Sequence, residues 1–162
     1  MKQFSKGMTF NSNAIEGNKL SLKETYLVIN DGITVKGKSL KAHLEAKNHH
    51  EALHFLFELI EHEKKHTISE RLIRSLQQLI VKDIDDNEAG RYRQGNVMIT
   101  GSKRKPPPAY QVSQLMKELV EWIKKSFNKL HPVELASLAH HKLVHIHPFT
   151  DGNGCTARLF IG

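Results

Sequence analysis

The stretch His147-Pro-Phe-Thr-Asp-Gly-Asn-Gly154 lies near the end of the sequence and decides how the rest is interpreted. Pro148 disfavours helical geometry in the residue before it, so a preceding helix is expected to end at His147. Residues 150–154 predict a tight turn, and the sequence from Cys155 onward can restart a helix. Unpaired N–H groups and the positive dipole end of such a helix favour phosphate binding.

Three side chains around this turn suit phosphate chemistry. His147 could act as a general base, because imidazole titrates near neutral pH. Asp151 could hold a divalent cation that bridges phosphate oxygens. Arg158, one turn inside the new helix, could reach back to a phosphate with its fork of donors. Each residue alone has an ordinary explanation in a turn, a cap or the core, and only their order and spacing favour a functional site.

Helical periodicity dominates the rest of the sequence. It predicts a long amphipathic helix over residues 39–62 and a second one with Ser69 as its N-cap. A third is predicted over residues 110–128, and Pro132, a favourable first-turn residue, begins a fourth. Trp122 falls on the apolar side of the third helix, where packing is favoured over a ligand platform. The fold class is therefore predicted to be mainly α.

The segment between the second and third predicted helices differs in character. Gly95-Asn-Val-Met-Ile-Thr-Gly101 predicts a short strand bounded by glycines. A basic run at residues 103–105 and the prolines at 106–108 follow, and prolines cannot continue a sheet interior. These features predict either a small hairpin that protrudes from a helical bundle or a plain connecting loop.

Bulk composition narrows the function class. The 162 residues suffice for one domain with its own core. Lys and Arg number 24 against 17 Asp and Glu, a net charge of +7, but no base-reading motif accompanies them, so a nucleic-acid partner is not expected. Neither a membrane-spanning run nor a signal peptide is evident, and the single Cys155 excludes an internal disulfide. Cytoplasm is the expected compartment.

The turn and its flanks resemble the signature of the Fic family, His-x-Phe-x-Asp/Glu-Gly-Asn-Gly-Arg-x-x-Arg. The matching residues are His147, Phe149, Asp151, Gly152, Asn153, Gly154 and Arg158. Cys155 stands where the family has its first arginine. The preceding helix, with His140 as an expected packing residue, also looks like the family's.

The resemblance implies a Fic-type helical bundle with a small β-hairpin flap, as one Fic domain over residues 1–162. Its parts would be an inhibitory helix segment at 1–20, a flap at 95–108 and the signature loop at 147–158, with further C-terminal helices cut away.

Two segments outside the signature extend the resemblance. Ser12-Asn-Ala-Ile-Glu16-Gly17 resembles the family's inhibitory motif, Ser/Thr-x-x-x-Glu-Gly/Asn. By its residues alone, this is one helical turn with Gly17 as a stop and Glu16 either solvated or functional. The resemblance implies that Glu16 pairs with Arg158 and blocks productive binding of the γ-phosphate. It also implies a target-binding flap that aligns the substrate segment by strand addition. The residues expected in that flap are Val97, Met98, Ile99 and Thr100.

The resemblance implies an autoinhibited protein adenylyltransferase, which moves AMP from ATP to a Ser, Thr or Tyr hydroxyl of a target protein. His147 would accept the hydroxyl proton, Asp151 would hold Mg²⁺, and Arg158 would bind the γ-phosphate. The amides of Gly152, Asn153 and Gly154 would stabilise phosphate charge, and Phe149 would anchor the loop. A homodimer is a further expected assembly, and no membrane partner is expected.

Cys155 keeps other functions open. A thiol cannot supply the charge-assisted hydrogen bonds of the missing guanidinium, which favours a weakly active enzyme or one of altered specificity over a redox or nucleophilic cysteine. A nucleotide-binding module without turnover is the alternative from another class. Within the same fold, an enzyme that removes AMP, with Glu16 positioning water, and a phosphotransferase of the death-on-curing type also remain. A basic nucleic-acid regulator would need a helix-turn-helix with clustered basic residues, which the sequence lacks.

The remaining histidines suggest a metal site only weakly. His141 and His145 stand four residues apart on a predicted helix, which is the spacing of a metal-binding face. No carboxylate or cysteine nearby supplies an evident third ligand. Surface or packing roles are therefore favoured for these residues and for His49 and His50.

Overall fold

The protein is a bundle of α-helices, as the sequence predicts. The computed structural model describes residues 2–62, 68–99 and 101–161. The helices in these ranges are α1 (Lys2–Ile15), α2 (Leu22–Asp31), α3 (Leu40–His62), α4 (Glu70–Val81), α5 (Val112–Ser126), α6 (Pro132–Ile146) and α7 (Asn153–Ile161), with a 3-10 turn at Ala109–Gln111. Within the same ranges, none of the helices is both long enough and apolar enough to span a bilayer.

The four helices predicted from periodicity form close to their expected bounds. The Ser69 hydroxyl accepts a hydrogen bond from the Leu72 N–H at 3.2 Å, which confirms Ser69 as the N-cap of α4. Pro132 is the first residue of α6, as predicted. The third predicted helix begins two residues late, because the 3-10 turn occupies its first residues and α5 starts at Val112.

The N-terminal helix is longer than its residues alone indicate. Instead of one turn at residues 12–16, α1 runs from Lys2 to Ile15, and Gly17, with φ of 90°, ends it as expected. Helix α2 was not predicted. It begins with a capping box, in which the Ser21 hydroxyl accepts from the Glu24 N–H and the Glu24 carboxylate accepts from the Ser21 N–H, and it ends at Gly32 in a left-handed conformation.

Helix α7 lies at the centre of the bundle and packs against α1, α3, α4 and α6. One apolar cluster joins α4, α5, α6 and α7 around the fully buried Phe149. A second cluster joins α3, α4 and α7 and consists of Ala52, Leu53, Ile80, Val81, Cys155 and Leu159. Because α7 contributes to both clusters, the turn that precedes it is fixed from two sides. Phe149 anchors this turn, as predicted.

The predicted β-hairpin flap is wrong. Residues 95–99 and 101–108, the described part of the segment, contain no strand and form an irregular loop, hereafter the flap loop. Its polar groups bond locally instead: the Ser102 N–H donates to the Ile99 carbonyl, and the Ala109 N–H donates to the Asn96 side chain. A lone two-stranded hairpin is marginal in water, and three successive prolines remove the donors that a second strand would need.

Candidate active site

His147 ends α6 in an unusual backbone conformation. Its φ of 50° and ψ of 60° are left-handed, and its N–H donates to the Leu143 carbonyl at 3.0 Å as a helix cap. This conformation is uncommon for a residue other than glycine. Pro148 excludes a further helical turn and so enforces the change of direction. The chain then carries Phe149 into the core and leaves the imidazole at the edge of the turn.

The surroundings of His147 favour a neutral imidazole. Burial lowers its pKa below the ordinary value, and the nearby Arg93 guanidinium lowers it further. The Val144 backbone and the carboxylates of Glu16 and Asp151 oppose that shift without reversing it. A histidine of lowered pKa is unprotonated near neutral pH and can accept a proton, which is the state a general base needs.

The turn between His147 and α7 is stabilised by its own side chains. The Asn153 amide group donates to the Phe149 carbonyl at 2.8 Å, and its oxygen accepts from the Phe149 N–H at 3.0 Å. Gly152 has φ of 78°, and a Cβ there would lie 3.1 Å from the Ile80 side chain. The Thr156 N–H donates to the Gly152 carbonyl in the first turn of α7. The amides that precede it, at the start of the helix, have no carbonyl acceptor within the helix. The amides of residues 152–154, of which the Gly152 N–H donates to the Asp151 carboxylate, are hereafter called the anion cradle.

Asp151 presents an exposed carboxylate beside the cradle. One of its oxygens accepts from the Gly152 N–H at 2.7 Å, and the other lies 3.6 Å from the Lys41 ammonium, so a cation already lies against it. Among the described residues, no group of three His, Cys, Asp or Glu is arranged to hold a metal. The chemistry of one exposed carboxylate is compatible with Mg²⁺, which takes few protein ligands and the rest from phosphates and water.

Glu16 and Arg158 meet at the cradle, as predicted. The Arg158 Nη2 donates to Glu16 Oε1 at 2.6 Å, while its guanidinium also donates to the Ser12 hydroxyl and carbonyl at 2.9 and 3.1 Å. Glu16 Oε1 lies 2.0 Å from the point that a Cβ on Gly154 would occupy. The carboxylate thus lies directly over Gly154 of the cradle.

Cys155 faces α1 instead of the solvent. Its Sγ lies 3.6 Å from the Ser12 hydroxyl and 3.8 Å from the Asn13 side-chain oxygen. Burial raises the pKa of the Cys155 thiol, and the hydrogen bond from Ser12 and the charge of Arg158 only partly oppose this. The thiol is therefore neutral near pH 7, which disfavours nucleophilic chemistry.

Sequence reasoning missed three residues that build this site. Gln77 is fully buried on α4; its side chain donates to the Asp151 carbonyl and accepts from the Gly90 N–H. A polar residue on the apolar stripe of a predicted helix was a usable signal for it. Lys41, from α3, pairs with Asp151, and the buried Arg93 donates to the His147 carbonyl at 2.7 Å. No local pattern marks these two, because their partners are distant in the chain.

The other predicted site residues lie outside the cradle. Val97 and Ile99 are half-buried and Met98 is 84% exposed on the flap loop, while Thr100 lies outside the described residues. A target-binding role for these four stays a prediction.

The remaining aromatic and histidine predictions concern packing. Trp122 packs against the apolar core, with Lys142 over its ring. His141 and His145 stack at 6.5 Å between ring centroids, and neither belongs to a candidate metal group within the described ranges.

This chain resembles known proteins in its sequence and in its fold. A family model described as the Fic/DOC family matches residues 67–162. A protein of Nematostella vectensis named protein adenylyltransferase Fic is 38% identical over 154 residues, which are 94% of this chain and 35% of that protein. The solved structure of Fic-1 (aa134–508) from C. elegans superposes with a TM-score of 0.90 at 35% identity over 99% of this chain and 47% of that one. A Fic domain containing signaling protein from Bacteroides thetaiotaomicron gives a TM-score of 0.88 at 33% identity over 99% of this chain and 61% of its own. The chain thus spans only part of each relative.

Proposed function

This chain belongs to the Fic/DOC family, and on that premise we propose that it transfers AMP from ATP to a hydroxyl side chain of a target protein. One observation carries the proposal: a carboxylate, Glu16, lies against Gly154 of the anion cradle and accepts a hydrogen bond from Arg158. That arrangement is built for an anionic group of this size. The relatives named protein adenylyltransferase support ATP as the source of that anion.

The proposed reaction is a displacement at the α-phosphorus of ATP. The target hydroxyl oxygen forms a bond to that phosphorus, the bond to the bridging oxygen breaks, and pyrophosphate leaves with its electron pair. The neutral His147 imidazole accepts the hydroxyl proton. The amides of Asn153 and Gly154 stabilise the charge on the phosphate oxygens, while the Gly152 N–H holds the Asp151 carboxylate. Arg158 binds the γ-phosphate once it leaves Glu16.

Asp151 would hold the Mg²⁺ that accompanies ATP. When bound, the ion neutralises charge on the phosphate oxygens. This chain's own contribution is to orient Asp151. The Gly152 N–H donates to one of its carboxylate oxygens, and the Gln77 side-chain amide donates to its backbone carbonyl. Lys41 balances the carboxylate charge in the absence of a metal.

The proposed regulation follows from the same contacts. Arg158 cannot bind a γ-phosphate while it donates to Glu16 and Ser12. The Glu16 carboxylate also covers the cradle. Helix α1 therefore keeps the site closed until it moves.

Transfer of radiolabel tests the proposal. Protein carrying Glu16→Gly is incubated with Mg²⁺, a mixture of candidate target proteins and ATP labelled at the α- or γ-phosphate. We expect α-label on protein with Glu16→Gly, far less with the unaltered chain, and none when His147→Ala is added. Cys155→Arg, in the same background, tests whether the missing signature arginine limits the rate.

Each other outcome names a different function. Transfer of γ-label would contradict adenylyl transfer and indicate a phosphotransferase. ATP binding without transfer by any variant, Cys155→Arg included, would indicate a nucleotide-binding protein. Loss of AMP from a modified target, dependent on Glu16, would indicate the reverse activity. We also propose a Ser, Thr or Tyr acceptor and a homodimer, which peptide mass spectrometry and light scattering respectively test.

A further inference from the structure

Arg93 is a buried arginine whose hydrogen bonds go to backbone carbonyls. It is only 2% exposed. Its Nε donates to the His147 carbonyl at 2.7 Å, its Nη1 to the Gly95 carbonyl at 3.0 Å, and its Nη2 to the Pro107 carbonyl at 2.6 Å. A longer bond of 3.4 Å reaches the Ile146 carbonyl. No ion pair to Arg93 occurs among the described residues.

These acceptors belong to two separate features of the molecule. Ile146 and His147 form the carbonyl end of α6, where helix carbonyls lack intrahelical donors and the dipole is negative. Gly95 and Pro107 are the two ends of the flap loop. The Arg93 main-chain N–H adds a third tie, to the Pro148 carbonyl at 3.0 Å. One residue therefore fastens both ends of the loop to the turn that carries His147.

We propose that Arg93 is a positioning residue, which holds the flap loop and the His147 turn together as one unit. The inference rests on the proposed function in one respect: a target hydroxyl presented on the flap loop would then meet the imidazole at a fixed place. The flap loop has no strand pairing of its own in the described residues, so its position depends on such ties. Burial of a charge is costly, and a plain core position would be occupied better by an apolar residue. The planar guanidinium group explains why an arginine occupies this position, because its five N–H donors can bind several carbonyls at once.

The charge of Arg93 has a second effect, on the imidazole itself. Arg93 lowers the pKa of His147, in the same direction as burial. Three groups raise the His147 pKa instead: the Glu16 carboxylate that follows α1, the Asp151 carboxylate of the turn and the Val144 backbone. Removing the charge should therefore raise the His147 pKa, whereas removing only the fork geometry should not. The His147 pKa therefore separates the effect of the Arg93 charge from the effect of its hydrogen bonds.

Two variants of the full chain exploit that difference. Arg93→Lys keeps a positive charge but not the fork, and Arg93→Met removes both. Arg91→Met is the matched control, because Arg91 stands two residues earlier and is exposed. Hydrogen exchange of the amides in residues 95–108 reports the flap loop, and an NMR titration of the His147 ring reports its pKa. Urea unfolding reports global stability.

We expect both Arg93 variants to accelerate exchange in the flap loop about tenfold or more, beyond any change in the α3 and α5 amides. Arg93→Met should also raise the His147 pKa, while Arg93→Lys leaves it near the parent value. In the Glu16→Gly background, Arg93→Lys should lower kcat/KM for the target protein with little change in the KM for ATP. Arg91→Met should change none of these.

The inference is overturned if exchange in the flap loop rises no more than exchange across the whole chain, or if Arg91→Met has the same effect. An unchanged His147 pKa in a folded Arg93→Met protein would overturn the inference that the Arg93 charge lowers that pKa. If Arg93→Met fails to fold, Arg93→Lys alone tests whether Arg93 holds the flap loop in place. Exchange and titration need no enzymatic activity. A parent that transfers no AMP would thus contradict the proposed function and leave the test of Arg93 intact.

Discussion

The Glu16 contact makes a quantitative prediction for ATP binding. Glu16→Gly removes the carboxylate from the anion cradle and frees the Arg158 guanidinium, which Glu16 binds at 2.6 Å. The Glu16 side chain is 46% exposed and that of Arg158 is 21% exposed, so water weakens the ion pair. A charge-assisted bond in such a place contributes about 1–2 kcal/mol. Because ATP must displace that bond, its affinity should rise by about 5- to 30-fold in the variant.

Isothermal titration with ATP and Mg²⁺ measures this affinity without any need for turnover. Glu16→Gln keeps the size of the side chain and loses its charge, so we expect an intermediate gain. Glu51→Gln is the control, since Glu51 pairs with Lys47 and Lys82 on the surface of α3, away from the cradle. Equal ATP affinity for Glu16→Gly and the unaltered chain would refute the reasoning that Glu16 and a phosphate compete for one place.

Three further predictions concern stability. Burial, with Arg158 and His50 nearby, lowers the pKa of His49 from 6.5 to about 4; the unfolded chain binds the proton first, so stability should fall by about 2 kcal/mol from pH 7 to pH 5. In urea unfolding, His49→Gln should remove this part of the pH dependence and leave that of His50, whose pKa burial also lowers to about 4. The exposed His62→Gln should change nothing, and an equally steep curve for His49→Gln would contradict the assignment. Gly152→Ala should destabilise by at least about 1–2 kcal/mol because its φ is 78° and α4 side chains crowd its Cβ, whereas Gly95→Ala, with open space around it, should be near neutral. Ser69→Ala removes the N-cap bond of α4 and should cost about 1 kcal/mol in the same assay.

Apolar periodicity predicted the helices whose buried faces are apolar, and it failed where the buried face is polar. Helix α1 buries Ser5, Thr9 and Ser12, which share one helical face, while Phe4 and Ile15 on its other sides are exposed. A hydrophobic pattern cannot reveal such a face. The buried polar groups are matched by partners elsewhere in the fold: Arg158 donates to Ser12, and Thr9 contacts the His49 ring. Only the tertiary structure supplies those partners.

Part of the candidate site could be predicted from the sequence, and part of it could not. Residues 147–158 are contiguous, and one turn into one helix fixes their relative positions, so spacing sufficed to predict them. Gln77, Lys41 and Arg93 reach the same turn from distant parts of the chain. The flap loop failed as a strand for a related reason: its alternating residues suit a strand, but no neighbouring strand lies within the described residues to pair with it.

On the proposed function, we expect Cys155 to favour the closed site in two ways. As the residue in place of a signature arginine, it withdraws one group that would favour bound phosphate. As a small, buried thiol, it packs with the α3 and α4 side chains Leu53 and Ile80 and lies 3.6 Å from the Ser12 hydroxyl, so it also belongs to the contact that holds α1 down. A charged guanidinium at this buried point would need an anionic partner. Phosphate would be such a partner in the proposed reaction. On the proposed function, cysteine in place of arginine therefore weakens the competitor of Glu16 and packs beneath α1, and we expect the closed state to be favoured on both counts.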